Sequence, residues 1–317
     1  MTDPVVSNPL YLFPLPHTSV FHVHGKDAPR YLHSRLTNSI RTLTVGNSCQ
    51  AAALTPQGRT EGLFTCLRTN ESEYFLSCDG GGREELLTAL RRYVVADRVT
   101  IEPTDRIGSV IHVSASVKAH LHTAALIDPL FLPELLPENP LRIAAIIPNL
   151  RLGELGFDIW TWEPWEAAEA LRKTLSEFQC LTSEEFEIQR LSQGFPSFPS
   201  ELNPSRLLTE APIGRMVAKN KGCYVGQEVI ERVESRGATP RLLARFSCES
   251  VQNLTPGAAI SVKRIDGGTE KMGEVLSSAS TGDEVFGFAS IRRQAEPAEP
   301  IFVEGRKGKF DWVVEKL

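Results

Sequence analysis

The sequence predicts an α+β protein whose last quarter is a small antiparallel β-barrel, and three observations carry that expectation. Over the first two-thirds, strand-like alternation and helix-like spacing follow one another along the chain. After about Pro240 the pattern changes to short apolar runs such as Leu242 to Phe246, Ala259 to Val262, Val285 to Ile291 and Phe310 to Val314. They are separated by Pro256-Gly257, Asp266-Gly-Gly268, Thr281-Gly-Asp283 and Gly305-Arg-Lys-Gly308, which is turn chemistry at antiparallel spacing. The length, 317 residues with 41% hydrophobic and 23% charged, suits about two domains and a large core.

The early elements are read from local signals. Val20-Phe-His-Val-His24 alternates as a strand, and Asp27 with Pro29 opens a helix with Leu32, Leu36 and Ile40 on one face. Ala51 to Leu54 and Leu63 to Leu67 read as strands around the turn Thr55-Pro-Gln-Gly58, with a further strand at Tyr74 to Ser77. Glu84 to Val95 carries Leu86, Leu87, Leu90 and Val94 at helical spacing, and Ile107 to Ser114 is extended. Asp128 to Pro140 reads as a Pro- and Leu-rich loop, and Pro164 opens a helix through Phe178. Thr182 with Glu185 makes a capping box for another helix ending at Gly194. The expected domains are an α+β core over 1–238 and the barrel over 239–317.

Composition excludes several classes. The longest apolar run, Ile143 to Ile147, stops at Pro148, far short of the roughly 18 residues a bilayer requires. The N-terminus carries no positive charge before Lys26, so a cytoplasmic location is expected. Six scattered cysteines without a C-x-x-C pair read as thiols. The net charge of -5 disfavours a dedicated nucleic-acid binder. Residues 206–245 nevertheless hold eight bases against four acids, an excess of 8 - 4 = 4 that would attract an anion, or serve as a solvated face.

One segment stands apart: Lys219-Asn-Lys-Gly-Cys-Tyr-Val-Gly-Gln-Glu-Val-Ile-Glu-Arg232. Val229, Ile230 and Val233 start a helical face near Gly226, so Cys223 falls ahead of a helix N-terminus with Lys221 two residues away and Arg232 in reach. A helix dipole and cations favour thiolate, the nucleophilic and metal-ligating form. The alternative is an inert buried cysteine.

Lys221-Gly-Cys-Tyr-Val-Gly-Gln-Glu228 with Arg232 resembles the K-G-C-Y-x-G-Q-E-x-x-x-R signature of the YgfZ family, folate-binding proteins related to the glycine-cleavage aminomethyltransferases. Supporting segments follow in order: Phe21-His-Val-x-Gly25-x-Asp27-Ala, Leu54-Thr-Pro-Gln-Gly-Arg59, Leu152-Gly-Glu-x-Gly-Phe-Asp158, Phe186-x-x-x-Arg190-Leu and Arg236-Gly. The resemblance implies three lobes around a central cavity for tetrahydrofolate, the last lobe being the barrel. It further implies a role in assembling or repairing iron–sulfur clusters that indirectly supports tRNA modification. Its partners would be folate, iron–sulfur enzymes or assembly proteins, and a weak tRNA contact.

Carried over by residue, Cys223 is the functional thiol, and Lys221, Gly222, Tyr224, Gly226, Gln227, Glu228 and Arg232 shape its loop. Arg151, Asp158, Arg190 and Arg236 are the expected folate contacts, since a flat pterin needs paired hydrogen bonds and its glutamate tail prefers cations.

Two departures from the transferases define the alternatives. Gly58-Arg-Thr-Glu-Gly-Leu63 lacks the Asp of the transferases, so a one-carbon transferase would have to use another acid such as Glu61 as base. Ser192 stands after Arg190-Leu191 where the transferases carry Glu. A tRNA-binding module working through the basic segment is the third reading. His22-Val-His24 and His120-Leu-His122 put paired imidazoles on one side of a strand, but no third ligand is evident, so no metal site is expected. Trp160, Trp162 and Trp165 read as a core edge rather than a stacking platform, and Gly80-Gly-Gly82 as a turn with no phosphate loop behind it.

Overall fold

The computed structural model describes residues 10–115, 143–149, 151–152, 155–162, 178–212, 214–237, 239–249, 252–263, 268–293, 301–303 and 306–312. The Asp128 to Pro140 loop, His120 and His122, Trp165 and the helix expected from Pro164 lie outside them, except for that helix's last residue, Phe178, which starts a strand instead. The chain forms two compact units, one from 1–18 with 104–193, the other from 19–103 with 194–317.

Following the chain, β1 (Leu10–Pro14) belongs to the first unit, and the second unit begins with β2 (Thr18–His24). Helix α1 (Ala28–Arg35) follows with Pro29 in its first turn, as the sequence suggests. Asp27 occupies the N-cap position, yet its carboxylate accepts from the Arg98 backbone and guanidinium instead of capping. Strands β3 (Ser48–Leu54), β4 (Thr60–Asn70) and β5 (Glu73–Asp79) lead to α2 (Arg83–Arg91) and β6 (Thr100–Pro103). The sheet order is β3-β4-β5-β2-β6. Phe21, Val23, Leu32, Phe64, Leu86 and Leu90 are buried in one core beneath the two helices.

The chain then returns to the first unit for β7 (Ser109–Ala115), β8 (Ile143–Pro148), β9 (Leu155–Thr161) and β10 (Phe178–Cys180). Their sheet runs β10-β1-β7-β9-β8, with β1 parallel to β10 and antiparallel to β7. Helix α3 (Ser183–Gln193) has the expected capping box. Glu185 accepts from the Thr182 N–H at 2.8 Å, and Thr182 Oγ1 accepts from the Glu185 N–H at 3.2 Å.

Back in the second unit, α4 (Gln227–Arg236) precedes six strands. These are β11 (Arg241–Glu249), β12 (Ala259–Lys263), β13 (Thr269–Ser280), β14 (Glu284–Arg292), β15 (Ile301–Val303) and β16 (Arg306–Trp312). They close into an antiparallel barrel in the order β11-β14-β13-β12-β15-β16 around Phe246, Ile260, Val275, Val285, Ile291 and Val303. The α+β class and the C-terminal barrel are as the sequence indicates.

Two helices differ in extent. The first stops at Arg35 rather than continuing to Ile40, because Leu36 is extended and the carbonyls at its end are taken by the Lys221 segment. The second stops at Arg91, and Val95 is 92% exposed, so the apolar periodicity outlasts the surface that α2 can bury.

Candidate functional site

The signature segment is fastened onto the end of α1. Lys221 Nζ donates to the His33 carbonyl at 2.6 Å and also to the Leu36 carbonyl, and it lies over the Tyr224 ring, 4.8 Å from its centroid. In return, His33 Nε2–H donates to the Lys221 carbonyl at 2.7 Å, while Nδ1 accepts from the Ile40 N–H at 3.2 Å; those two bonds fix the tautomer. Backbone bonds add to the clasp, from Val225 N to the Ser34 carbonyl and from Ala218 N to the Thr37 carbonyl. Thr37 Oγ1 donates to the Met216 carbonyl, and Asn38 Nδ2 to the Arg215 carbonyl.

Burial shifts the groups at this joint. It lowers the Lys221 ammonium to about 8, against a smaller opposing pull from Cys49. Burial also holds His33 below the usual imidazole range, with the Lys221 charge acting in the same direction and the bond to the Lys221 carbonyl opposing. Tyr224 is pushed up to about 12, chiefly by burial and then by Glu234 and Glu231.

Cys223 itself is exposed at the crest of this loop, next to an exposed Gly222 and four residues before α4. Gly226 is buried at the helix start, and Gln227 Oε1 accepts from the Tyr224 N–H at 3.2 Å. The cations expected beside the thiol are engaged elsewhere: Lys221 faces α1, and Arg232 pairs with Glu228 one helical turn back. Arg236 ends α4, and its side chain lies outside the described residues.

A thiol pair elsewhere in the same unit was not read from the sequence. Cys49 and Cys66 are direct partners across β3 and β4. A hydrogen bond from Cys66, opposed by burial and aided by the Lys221 ammonium, holds the Cys49 thiol below its usual value. The same bond and burial push Cys66 well up. The hairpin alone does not disclose it: counting outward from the Thr55–Gly58 turn brings 49 opposite 64, and the observed register, with its shift at Ala53–Leu54, sets it opposite 66.

In the first unit, Asp158 on β9 is fully buried and its two oxygens are heavily bonded. It accepts from His112 Nδ1 at 2.9 Å, Asn149 Nδ2 at 2.8 Å, and Arg151 at 3.1 Å through Nε and 2.8 Å through a terminal nitrogen. Burial alone would raise this carboxyl; the Arg151 charge and the His112 and Arg151 hydrogen bonds outweigh it and hold it far below the carboxylate range. Nearby Phe186 of α3 stacks on Phe13 with centroids 4.0 Å apart and meets His112 edge-on at 6.4 Å. Arg190, on the same helix, is buried and donates through Nε to Glu187 at 2.8 Å and through a second nitrogen at 2.5 Å. Arg151 and Asp158 are thus brought together, and Arg190 shares their unit; Cys223 and its loop belong to the other.

The remaining candidates resolve differently. Glu61 is clamped between Arg35, at 2.6 Å, and Arg92, so two guanidinium groups occupy the oxygens a general base would need. Several bases of the 206–245 segment are likewise engaged, Arg206 with Glu210 and Glu274, Arg232 with Glu228, and Lys221 inward. Trp160 is buried in β9, whereas Trp162 is 38% exposed against Arg106. Among the described residues, no helix is long and apolar enough to cross a membrane.

No family model matches the chain. It is 26% identical over 249 residues to the tRNA-modifying protein YgfZ of Escherichia fergusonii, covering 74% of this chain and 71% of that protein. An uncharacterised protein of Haemophilus influenzae is 23% identical over 270 residues, 82% of this chain and 81% of that one. In fold, the chain is similar to the glycine-cleavage aminomethyltransferase T of Bartonella henselae. The TM-score is 0.74 at 16% identity, over 98% of this chain and 86% of the other. The chain therefore has the aminomethyltransferase T fold and resembles YgfZ in sequence.

Proposed function

We propose that this chain is a cytoplasmic tetrahydrofolate-binding accessory protein of tRNA modification, acting through assembly or repair of iron–sulfur clusters. Cys223 is the thiol that exchanges with a cluster or a sulfur carrier. The likeness to a tRNA-modifying protein and the aminomethyltransferase T fold support the general role. The observation that carries the Cys223 assignment is its setting: an exposed thiol on a loop whose flanks are clasped to α1 through Lys221, His33 and Val225. Such a loop holds a soft ligand at fixed position while leaving its sulfur accessible. In the proposed step the Cys223 thiolate forms one sulfur–iron bond as a donor thiolate leaves that iron, a ligand exchange without net oxidation or reduction.

The folate contacts fit less directly. Arg151 and Asp158 neutralise one another, and Arg190 is paired to Glu187. Of Arg151 and Arg190, Arg190 is paired to the more exposed carboxylate, since the Glu187 side chain is 37% exposed, and an anionic glutamate tail can take its place.

Cells lacking this protein test the thiol. Cys223→Ala should fail to restore cluster-dependent tRNA thiolation while unfolding within about 0.5 kcal/mol of wild type, as expected for an exposed side chain. Full restoration by the variant overturns the assignment. Titration of the pure protein with tetrahydrofolate should show binding that Arg190→Ala weakens by about tenfold, the equivalent of about 1.4 kcal/mol. Absence of binding to wild type removes folate from the account.

A further inference from the structure

We propose that His22, His24 and Glu102 form a binding site for a borderline divalent cation of the zinc class, a site separate from the signature loop. Phe21 and Val23 face the core under α1 and α2, so the alternation of β2 turns His22 and His24 to the opposite face of the sheet. Strand β6 supplies the third ligand that the sequence did not reveal. Glu102 is the direct cross-strand partner of His22. The three donor atoms all lie within 4.8 Å of one another.

The spacing suits tetrahedral coordination. Glu102 Oε1 is 3.5 Å from His22 Nδ1 and 3.8 Å from His24 Nε2. With metal–nitrogen and metal–oxygen bonds of about 2.0–2.2 Å, neighbouring corners of a tetrahedron stand about 3.3–3.6 Å apart. Glu102 is thus already near that spacing from both imidazoles, and a side-chain rotation of His24 brings the two ring donors, within 4.8 Å of one another, into range.

Orientation is supplied by β5, which borders β2 on its other side. His22 Nε2 is 2.7 Å from Glu73 Oε1, so Nε2–H donates to that carboxylate and Nδ1 keeps its lone pair toward Glu102. This is the carboxylate–histidine–metal arrangement that fixes a ligand's tautomer and raises its basicity. The His22 ring is also held between Phe75, 4.9 Å away, and the His24 ring, 4.6 Å away. His24 and Glu102 are 42% and 50% exposed, which leaves an approach for the cation and room for water as a fourth ligand. The competing account, a surface cluster of histidines ion-paired to acids, takes up no metal.

Calorimetric titration of the full chain with Zn²⁺, repeated on His24→Ala and Glu102→Gln, decides between them. Co²⁺ serves as a second probe, because its spectrum distinguishes nitrogen and oxygen donors from thiolate. Wild type should bind with both variants at least tenfold weaker, and bound Co²⁺ should show no sulfur charge-transfer band. Both side chains are half-exposed, so the variants should melt with the wild type in the absence of metal. Equal affinity in all three proteins, a thiolate signature, or no uptake by wild type overturns the proposal.

Discussion

Lys221 places an ammonium where the last carbonyls of α1 would otherwise go unsatisfied, and its lowered value of about 8 makes that arrangement sensitive to pH. Below pH 8 the folded and unfolded chains both carry the proton, and the folded state bears the cost of burying the charge. Between about 8 and 10.5 the folded state releases it first, the unfolded chain binds more protons, and this residue's contribution to stability rises with pH. The urea midpoint of wild type relative to Lys221→Met should therefore climb across that window; a flat difference would show that the ammonium is hydrated. Asp158 is shifted in the same direction, so its contribution also rises with pH, but in the acid range and as a gain where Lys221 relieves a cost. Its depressed carboxyl contributes stability above the unfolded value of 3.8, and that contribution is lost as pH falls. Asp158→Ala leaves Arg151 and His112 without their buried counter-charge and should cost about 3–5 kcal/mol in denaturant unfolding.

At the scale of elements, the clasp between the signature loop and α1 depends on two glycines in different ways. Gly226 has φ +86°, and an added Cβ would stand 2.8 Å from the Thr55 carbonyl oxygen and 2.9 Å from Leu54 Cβ. Gly222 has φ +93° with open space around it. Gly222→Ala should lose only the left-handed penalty of about 1 kcal/mol. Gly226→Ala should lose that plus a clash of about 1–3 kcal/mol, with faster amide exchange at Val225, whose bond to Ser34 closes the clasp. Equal losses would mean that the Leu54–Thr55 contact yields freely. What the sequence revealed here was local: the Thr182–Glu185 cap and the start of α4 are encoded within four residues. The end of α1 was hidden because its terminating group is Lys221. Strand β13 was missed because Thr269–Ser280 is rich in Ser and charged residues and holds only two β-branched residues, Thr269 and Val275, and its pairing is interrupted by a bulge at Val275–Ser277.

For the whole molecule, turn spacing was enough to disclose the barrel's hairpin turns, at β12–β13, β13–β14 and β15–β16, but not its closure through β11, whose partners β14 and β16 come later in the chain. The sheet of the first unit was harder to read because β1 takes partners from far downstream, β7 on one side and β10 on the other. The sequence named Cys223, Arg151, Asp158 and Arg190 through a motif but could not disclose the Glu102 ligand, which lies on a strand paired with β2 from far along the chain, or the Cys49–Cys66 pair, whose register is set by the irregularity at Ala53–Leu54. Deleting residues 1–15 removes a strand from inside that sheet together with Phe13, which stacks on Phe186. Near-ultraviolet circular dichroism of the truncated chain should show the first unit's aromatic signal lost while the barrel persists; an unchanged spectrum would contradict β1's central position. The position of β1 also sets an order of events during translation. Leu10 leaves the ribosome early, but its parallel neighbour Phe178 follows only after 178 - 10 = 168 further residues. At about 5–20 residues per second the nascent strand waits roughly ten to thirty seconds with its β10 edge open, while its other edge can pair with β7 once 115 - 10 = 105 further residues have emerged.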